Sequence, residues 1–236
     1  MRKEDTIDAI IHNKPEMAKS YKKITEKQWT VYYYLLSVSV YNNKDREDHR
    51  YVYKSSINIS SVSKNLGIAR STFYTAIEAL GKFDLVYSYS DYYILQLPKS
   101  YAEISRKLLS QLLSYRKELT VDLLRTYLFF AAAYRLVDGK EFTKRNLIRC
   151  LGYPDNVPDY YKKVEIYIDL LRSWKLIQFS TRVENTEIGQ IRVYKIEKVF
   201  GSSTELDSRF SFENEMCVKN IGLSEEEENR IQSALS

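Results

Sequence analysis

The sequence predicts an α+β protein, mainly α with small β-hairpins, built as two similar units in tandem. Three observations carry this. Gly and Pro are scarce, 7 and 4 among 236 residues, which disfavours a turn-dense all-β architecture. Apolar residues recur at helical spacing in several windows, and two segments rich in Tyr, Val and Ile follow them as candidate hairpins. The order of these elements then recurs once along the chain.

The first helix begins at Thr25, where Thr25 and Gln28 form a T-x-x-Q capping box. Trp29, Tyr32, Tyr33, Leu36 and Val40 follow at helical spacing, and a charged loop spans Asn42 to Arg50. Ile57 and Ile59 suit a short strand. Ser60 suits an N-cap for a helix ending at Leu66. The next helix, Arg70 to Gly81, places Phe73, Ala76, Ile77 and Leu80 on one face and Arg70, Ser71, Tyr74, Thr75 and Glu78 on the other. Leu85 to Leu97 alternates around Ser90-Asp91 and reads as a hairpin.

Ahead of this unit (residues 25–98), residues 1–24 read as a basic arm carrying Lys14, Lys19, Lys22 and Lys23, with a short helix around Ile7 to Ile11. Such an arm either reaches phosphates or is a solvated terminus. After it, residues 99–118 read as a linker helix from Ser100 to Arg116, with Ile104, Leu108, Leu109, Leu112 and Leu113 as its apolar stripe.

The second unit spans residues 119–200. A helix runs from Thr120 through Tyr134, Glu141-Phe142-Thr143 supplies a strand and cap, and Lys144 to Leu151 ends in Leu-Gly like its earlier counterpart. Asp159 caps a helix through Ser173, and Gln178 to Glu197 reads as a hairpin turning near Asn185 and Gly189. Ile77, Leu80, Phe83, Leu85 and Val86 match Ile168, Leu171, Trp174, Leu176 and Ile177 at a constant offset of 91 residues. Residues 201–236 read as an acidic tail.

The formal net charge is +5. From Glu205 to Ser236 there are eight acidic and three basic residues, a net −5, which leaves 33 basic and 23 acidic residues in 1–204, a net +10. A basic body favours a polyanion partner; a solvated surface with a mild lysine excess gives the same count. The 21 tyrosines suit cores or base stacking, and an AT-rich coding sequence produces the same excess. Cys150, Cys217, His12 and His49 share no metal-ligand spacing, so neither metal nor other cofactor is expected. No phosphate loop, H-x-H pair or H-x-x-R occurs, and no enzymatic activity is expected. The most apolar run, Tyr127 to Tyr134, is too short for a bilayer and no apolar signal region follows Met1, so a cytoplasmic protein without membrane contact is expected.

Leu66-Gly67-Ile68-Ala69-Arg70-Ser71-Thr72-Phe73 resembles the turn and recognition-helix start of bacterial helix-turn-helix proteins. Gly67 permits the left-handed turn, and small polar residues with an arginine follow on the first exposed turn. With the hairpin behind it, the segment resembles the winged-helix superfamily. Ser63 departs from the alanine usual between the two helices. The resemblance implies two tandem winged helices and double-stranded DNA as partner. Arg70 would contact a guanine or a phosphate; Ser71, Thr72, Tyr74 and Thr75 bases or backbone; and Lys64 a phosphate. In the second unit the corresponding residues are Lys144, Arg145, Tyr160, Tyr161, Lys162 and Lys163, with Arg182 and Arg192 on the hairpin. The first hairpin has no Lys or Arg, so the second is the better candidate for a backbone contact. The tandem arrangement is similar to replication initiators of plasmids and phages. That similarity implies origin repeats as target, a homodimer as a regulated state, and host replication proteins as further partners. A transcriptional regulator of mobile-element genes would use the same contacts, and some winged helices bind proteins instead of DNA.

Overall fold

The computed structural model describes residues 6–10, 23–41, 49–96, 101–114, 120–135, 141–187 and 189–200. The acidic tail, most of the basic arm and residues 42–48 of the charged loop lie outside these. The described chain is mixed helix and sheet with small antiparallel sheets, as expected. It falls into two compact units, the first running to Leu124 and the second beginning at Arg125.

In the first unit, strand β1 (Thr6–Ile10) stands where a short helix was expected. It pairs antiparallel with β6 (Tyr101–Ser105) over five residues, in a register that runs from Thr6 opposite Ser105 to Ile10 opposite Tyr101. Thr25 opens helix α1 (Glu26–Val38) with the predicted reciprocal cap. Its hydroxyl accepts from the Gln28 N–H, and its own N–H donates to Gln28 Oε1 at 2.8 Å. The expected single apolar stripe is too narrow a description. Trp29, Val31, Tyr32, Tyr33, Leu35, Leu36 and Ser37 are all buried, so α1 is enclosed on nearly every side. Val40 leaves the helix as part of β2 (Val40–Tyr41) and is exposed.

A four-stranded sheet in the order β2-β3-β5-β4 follows, with β3 at His49–Tyr53, β4 at Val86–Ser88 and β5 at Tyr92–Gln96. The strand expected at Ile57–Ile59 lies earlier, because His49–Tyr53 finds a full five-residue register with Tyr92–Gln96. Asn58, not Ser60, caps α2 (Ile59–Leu66), accepting from the Ser61 N–H at 3.1 Å; both residue types suit that position. Helix α3 (Arg70–Gly81) buries the four residues predicted, Phe73, Ala76, Ile77 and Leu80. The β4–β5 hairpin turns at Ser90-Asp91 as expected.

The segment read as a linker helix differs. It is a strand to Ser105, and α4 (Arg106–Ser114) begins only there. Leu108, Leu109, Leu112 and Leu113 are buried as the stripe predicts, and α4 packs on α1. Arg106 donates to the carbonyls of Ser37 and Ser39, the latter at 2.7 Å, and so satisfies backbone acceptors at the end of α1.

The second unit repeats the order. Helix α5 (Thr120–Arg135) crosses the boundary between the units at Leu124 and Arg125, and it is buried at Val121–Leu124 and Thr126–Ala133. Strand β7 (Glu141–Phe142) leads to α6 (Lys144–Cys150), capped by Thr143 as expected. Helix α7 (Pro158–Ser173) starts on Pro158, with Val157 in the cap position assigned to Asp159, because proline is preset for a first helical residue. Strands β8 (Ile177–Thr186) and β9 (Gly189–Val199) make a long hairpin, with β7 pairing only Glu141 and Phe142 on β9. Phe142 stacks on Tyr194 at 5.1 Å and meets Phe130 edge-on at 4.9 Å, closing the core under that sheet.

The backbone repeats in detail. Among the described residues Asp84 and Lys175, 91 positions apart, are the two non-glycine residues with positive φ, at 56° and 57°. In each case the next N–H reaches back to the helix, Leu85 to the Leu80 carbonyl and Leu176 to that of Leu171. Likewise Gly67 (φ 65°) and Gly152 (φ 85°) end α2 and α6 in left-handed turns. Ile68 donates to Ser63 and Tyr153 to Ile148 behind them.

Two stability predictions follow from these positions. A left-handed backbone costs an L-residue about 1 kcal/mol, so Lys175→Gly raises the unfolding free energy by roughly that amount, read as a higher urea midpoint. The Ser63 hydroxyl is buried and makes no hydrogen bond, and an unmet buried polar group costs about 1–3 kcal/mol. Ser63→Ala therefore leaves stability unchanged or raises it by about 1 kcal/mol, measured in the same titration.

Candidate nucleic-acid interface

Helix α3 presents a polar face because its apolar residues are spent on the core. Arg70, Ser71, Tyr74, Thr75 and Glu78 are exposed, and Thr72 is half-buried. The Gly67 turn sets the start of α3 directly after α2, so Arg70 reaches back and donates to Ser60 Oγ. Lys64 is exposed on α2. Neither Lys64 nor Arg70 forms an ion pair among the described residues. Thr75 turns its hydroxyl onto the carbonyls of Ser71 and Thr72, at 3.1 and 3.2 Å, and must release them to donate elsewhere.

The second unit is different. Most of its candidate cations already hold carboxylates. Lys144 pairs with Glu165 at 2.7 Å. Arg145 and Arg149 both grip Asp155, the latter at 2.7 Å. Tyr161 donates to the Asp155 carbonyl at 2.9 Å, and Tyr160 stacks on Tyr153 at 4.4 Å with the rings 10° apart. These contacts fold the inserted loop between α6 and α7 against both helices. Arg182 lies on β8 and reaches across β9 to Glu141 on β7 in a two-pronged pair at 2.6 and 2.7 Å, and it also bonds Glu184. Lys162 sits near Asp159 at 3.9 Å, with both side chains over 70% exposed, a pair that holds it only weakly. Lys163 is half-buried on α7 and Arg192 exposed on β9.

The residues predicted for α2 and α3 are thus all exposed except Thr72, with Arg70 joining the two helices through Ser60. Those predicted for the second unit form three separate ion-paired groups plus Lys162, Lys163 and Arg192. Asp155, the hub of one group, was not singled out from the sequence. The signal available was an acidic residue in a proline-flanked loop beside Lys144-Arg145. Also missed were the exposed rings of the first hairpin, Tyr87 and Tyr89.

No described helix is long and apolar enough to cross a membrane. Among the described residues no group of three or more His, Cys, Asp or Glu could hold a metal ion. No protein-family model matches the chain, and no curated protein matches it at a significant level.

The hydrogen bond from Arg145 holds the Asp155 carboxyl below the usual carboxylate range, with Arg149 adding to it. A depressed folded-state value means stability that is present above the unfolded value and lost as pH falls. Thermal unfolding of the full chain should therefore shift to lower temperature as pH drops below about 4. Asp155→Asn should unfold at lower temperature at neutral pH and show a shallower acid limb.

Proposed function

We propose that the protein binds double-stranded DNA in a sequence-dependent manner, with α3 as the element that enters the major groove. The observation that carries this is the exposed strip of Lys64, Arg70, Ser71, Tyr74 and Thr75, whose cations have no carboxylate to leave. A guanidinium bonded to a neutral hydroxyl exchanges it for a base edge or phosphate at small cost, whereas one held by two carboxylates does not. The helix order, the left-handed turn between α2 and α3 and the hairpin behind α3 support a winged-helix reading of the first unit. The repeated backbone turns support the same reading of the second. Two such units in tandem suit a replication initiator of a plasmid or phage acting at repeated sites, or a regulator of genes on the same element.

The internal pairing of Lys144, Arg145 and Arg182 favours a second reading for the second unit alone. There the fold serves assembly, with a further copy or another protein as partner, and contributes little to DNA affinity. This reverses the sequence-based preference for the second hairpin as the backbone contact.

Titration of the full chain against DNA flanking its own gene tests the reading. Arg70→Ala should weaken duplex binding roughly 5- to 150-fold. Arg182→Ala should leave it within about twofold. Affinity should fall steeply with salt. Unchanged binding in Arg70→Ala, or a salt slope near zero, would sink the assignment of α3. Replication of a plasmid bearing that flank, with and without the protein, separates initiator from regulator.

A further inference from the structure

A cleft of 370 Å³ opens between α3 and β4, beside the strip proposed to read DNA. Its size lies at the lower end of small-ligand sites, about 300–1,000 Å³. Tyr74 and Glu78 come from α3 and Tyr87 from β4, with Ile77 and Val86 buried beneath. The Tyr87 hydroxyl donates to Asp84 at 2.9 Å, which anchors that ring while leaving it 37% exposed.

The chemistry of the lining narrows the ligand. Lys54 borders the cleft, but its ammonium donates to the Tyr89 carbonyl and lies 5.0 Å over the Tyr93 ring. Glu78 adds a carboxylate at the edge, so a phosphate is opposed rather than attracted. A purely aliphatic group would cover Glu78 without pairing it. A flat, uncharged group with both ring faces and hydrogen-bonding edges meets all of these surfaces. The aromatic surface also continues outward. Tyr89 is 49% exposed and stacks on Tyr92 at 5.2 Å with the rings 22° apart, on a hairpin whose residues 86–96 include no Lys or Arg. Exposed rings are surfaces on which successive bases stack whatever their sequence, and Lys54 is the cation beside these.

We propose that this cleft takes an unpaired nucleobase from the DNA held by α3, stacked on Tyr87. The proposal rests on the DNA-binding reading, since Tyr74 belongs to both the strip and the cleft. It adds a preference for locally opened duplex over intact duplex.

The test uses the full chain and three probes made from the DNA flanking its gene, each carrying 2-aminopurine: intact duplex, duplex with a short central bubble, and single strand. The bubble should bind about tenfold or more tighter than intact duplex, with a change in 2-aminopurine fluorescence on binding. Tyr87→Ala should abolish the bubble preference and the fluorescence change while leaving intact-duplex affinity within about twofold, and Tyr87→Phe should keep both. Equal binding of bubble and duplex by the wild type, without fluorescence change, overturns the cleft and leaves the α3 reading standing. So does a bubble preference that survives Tyr87→Ala. Binding of single strand alone, sensitive to Tyr87→Ala, upholds the cleft and overturns duplex reading by α3. Absence of binding to any probe overturns both. The wild-type comparison decides even where Tyr87→Ala fails to fold.

Discussion

Each unit of this protein is organised by the enclosure of one helix. In the first unit α1 buries Trp29, Tyr32 and Tyr33 as mutually packed rings, Trp29 and Tyr33 stacked at 5.6 Å and Tyr32 edge-on to both. Helices α3 and α4 and strands β1 and β3 lie against it. The free backbone groups at both ends of this helix are met by the chain, at an exposed start and a part-buried finish. Thr25 and Gln28 do this at the start, and Arg106 does it at the finish. Because α1 is the common wall, α3 can spend its own apolar face against it and keep a fully polar one outward.

What the sequence revealed and what it hid follow from whether the determinants are local. Capping by Thr25, the four inward residues of α3, the Gly67 turn and both hairpins rest on residues a few positions apart. All are as the pattern predicts. The pairing of Thr6–Ile10 with Tyr101–Ser105 is not local, and short windows favour a helix in both places. The enclosure of α1 was also hidden. Its burial of Val31 and Leu35 depends on how many neighbours surround it, which periodicity does not encode. For the candidate site, the α2–α3 strip was legible because one helix face holds it. The second unit's cations were not, because their neutralising carboxylates lie as far away as Glu141 is from Arg182.

That contrast bears on how net charge is read. Residues 1–204 carry an excess of ten positive charges, yet the excess does not say where a polyanion would settle. An arginine paired with a carboxylate adds little to the field at long range and holds its donors in place at short range. Two units with the same backbone turns therefore present unlike surfaces: one has idle cations beside aromatic rings, the other has cations committed to holding a loop and a hairpin in shape.

The β8–β9 hairpin shows what such commitment permits. Third-strand pairing stops at Glu141 and Phe142, and from Val183 and Arg192 outward the arm is two strands alone. Arg182 fastens the last crossing point to β7. Beyond that point, side chains alternate between two solvated faces, with a repeat of two residues per strand. Residues added in matched pairs at the Thr186–Gly189 end would lengthen the arm and leave every inward side chain of the base where it is. One residue added to a single strand below Arg182 would shift the register of the base unless it were absorbed as a second bulge beside the one opposite Gln178 and Phe179. The reach of this arm is thus free to vary in sequence while its root is not.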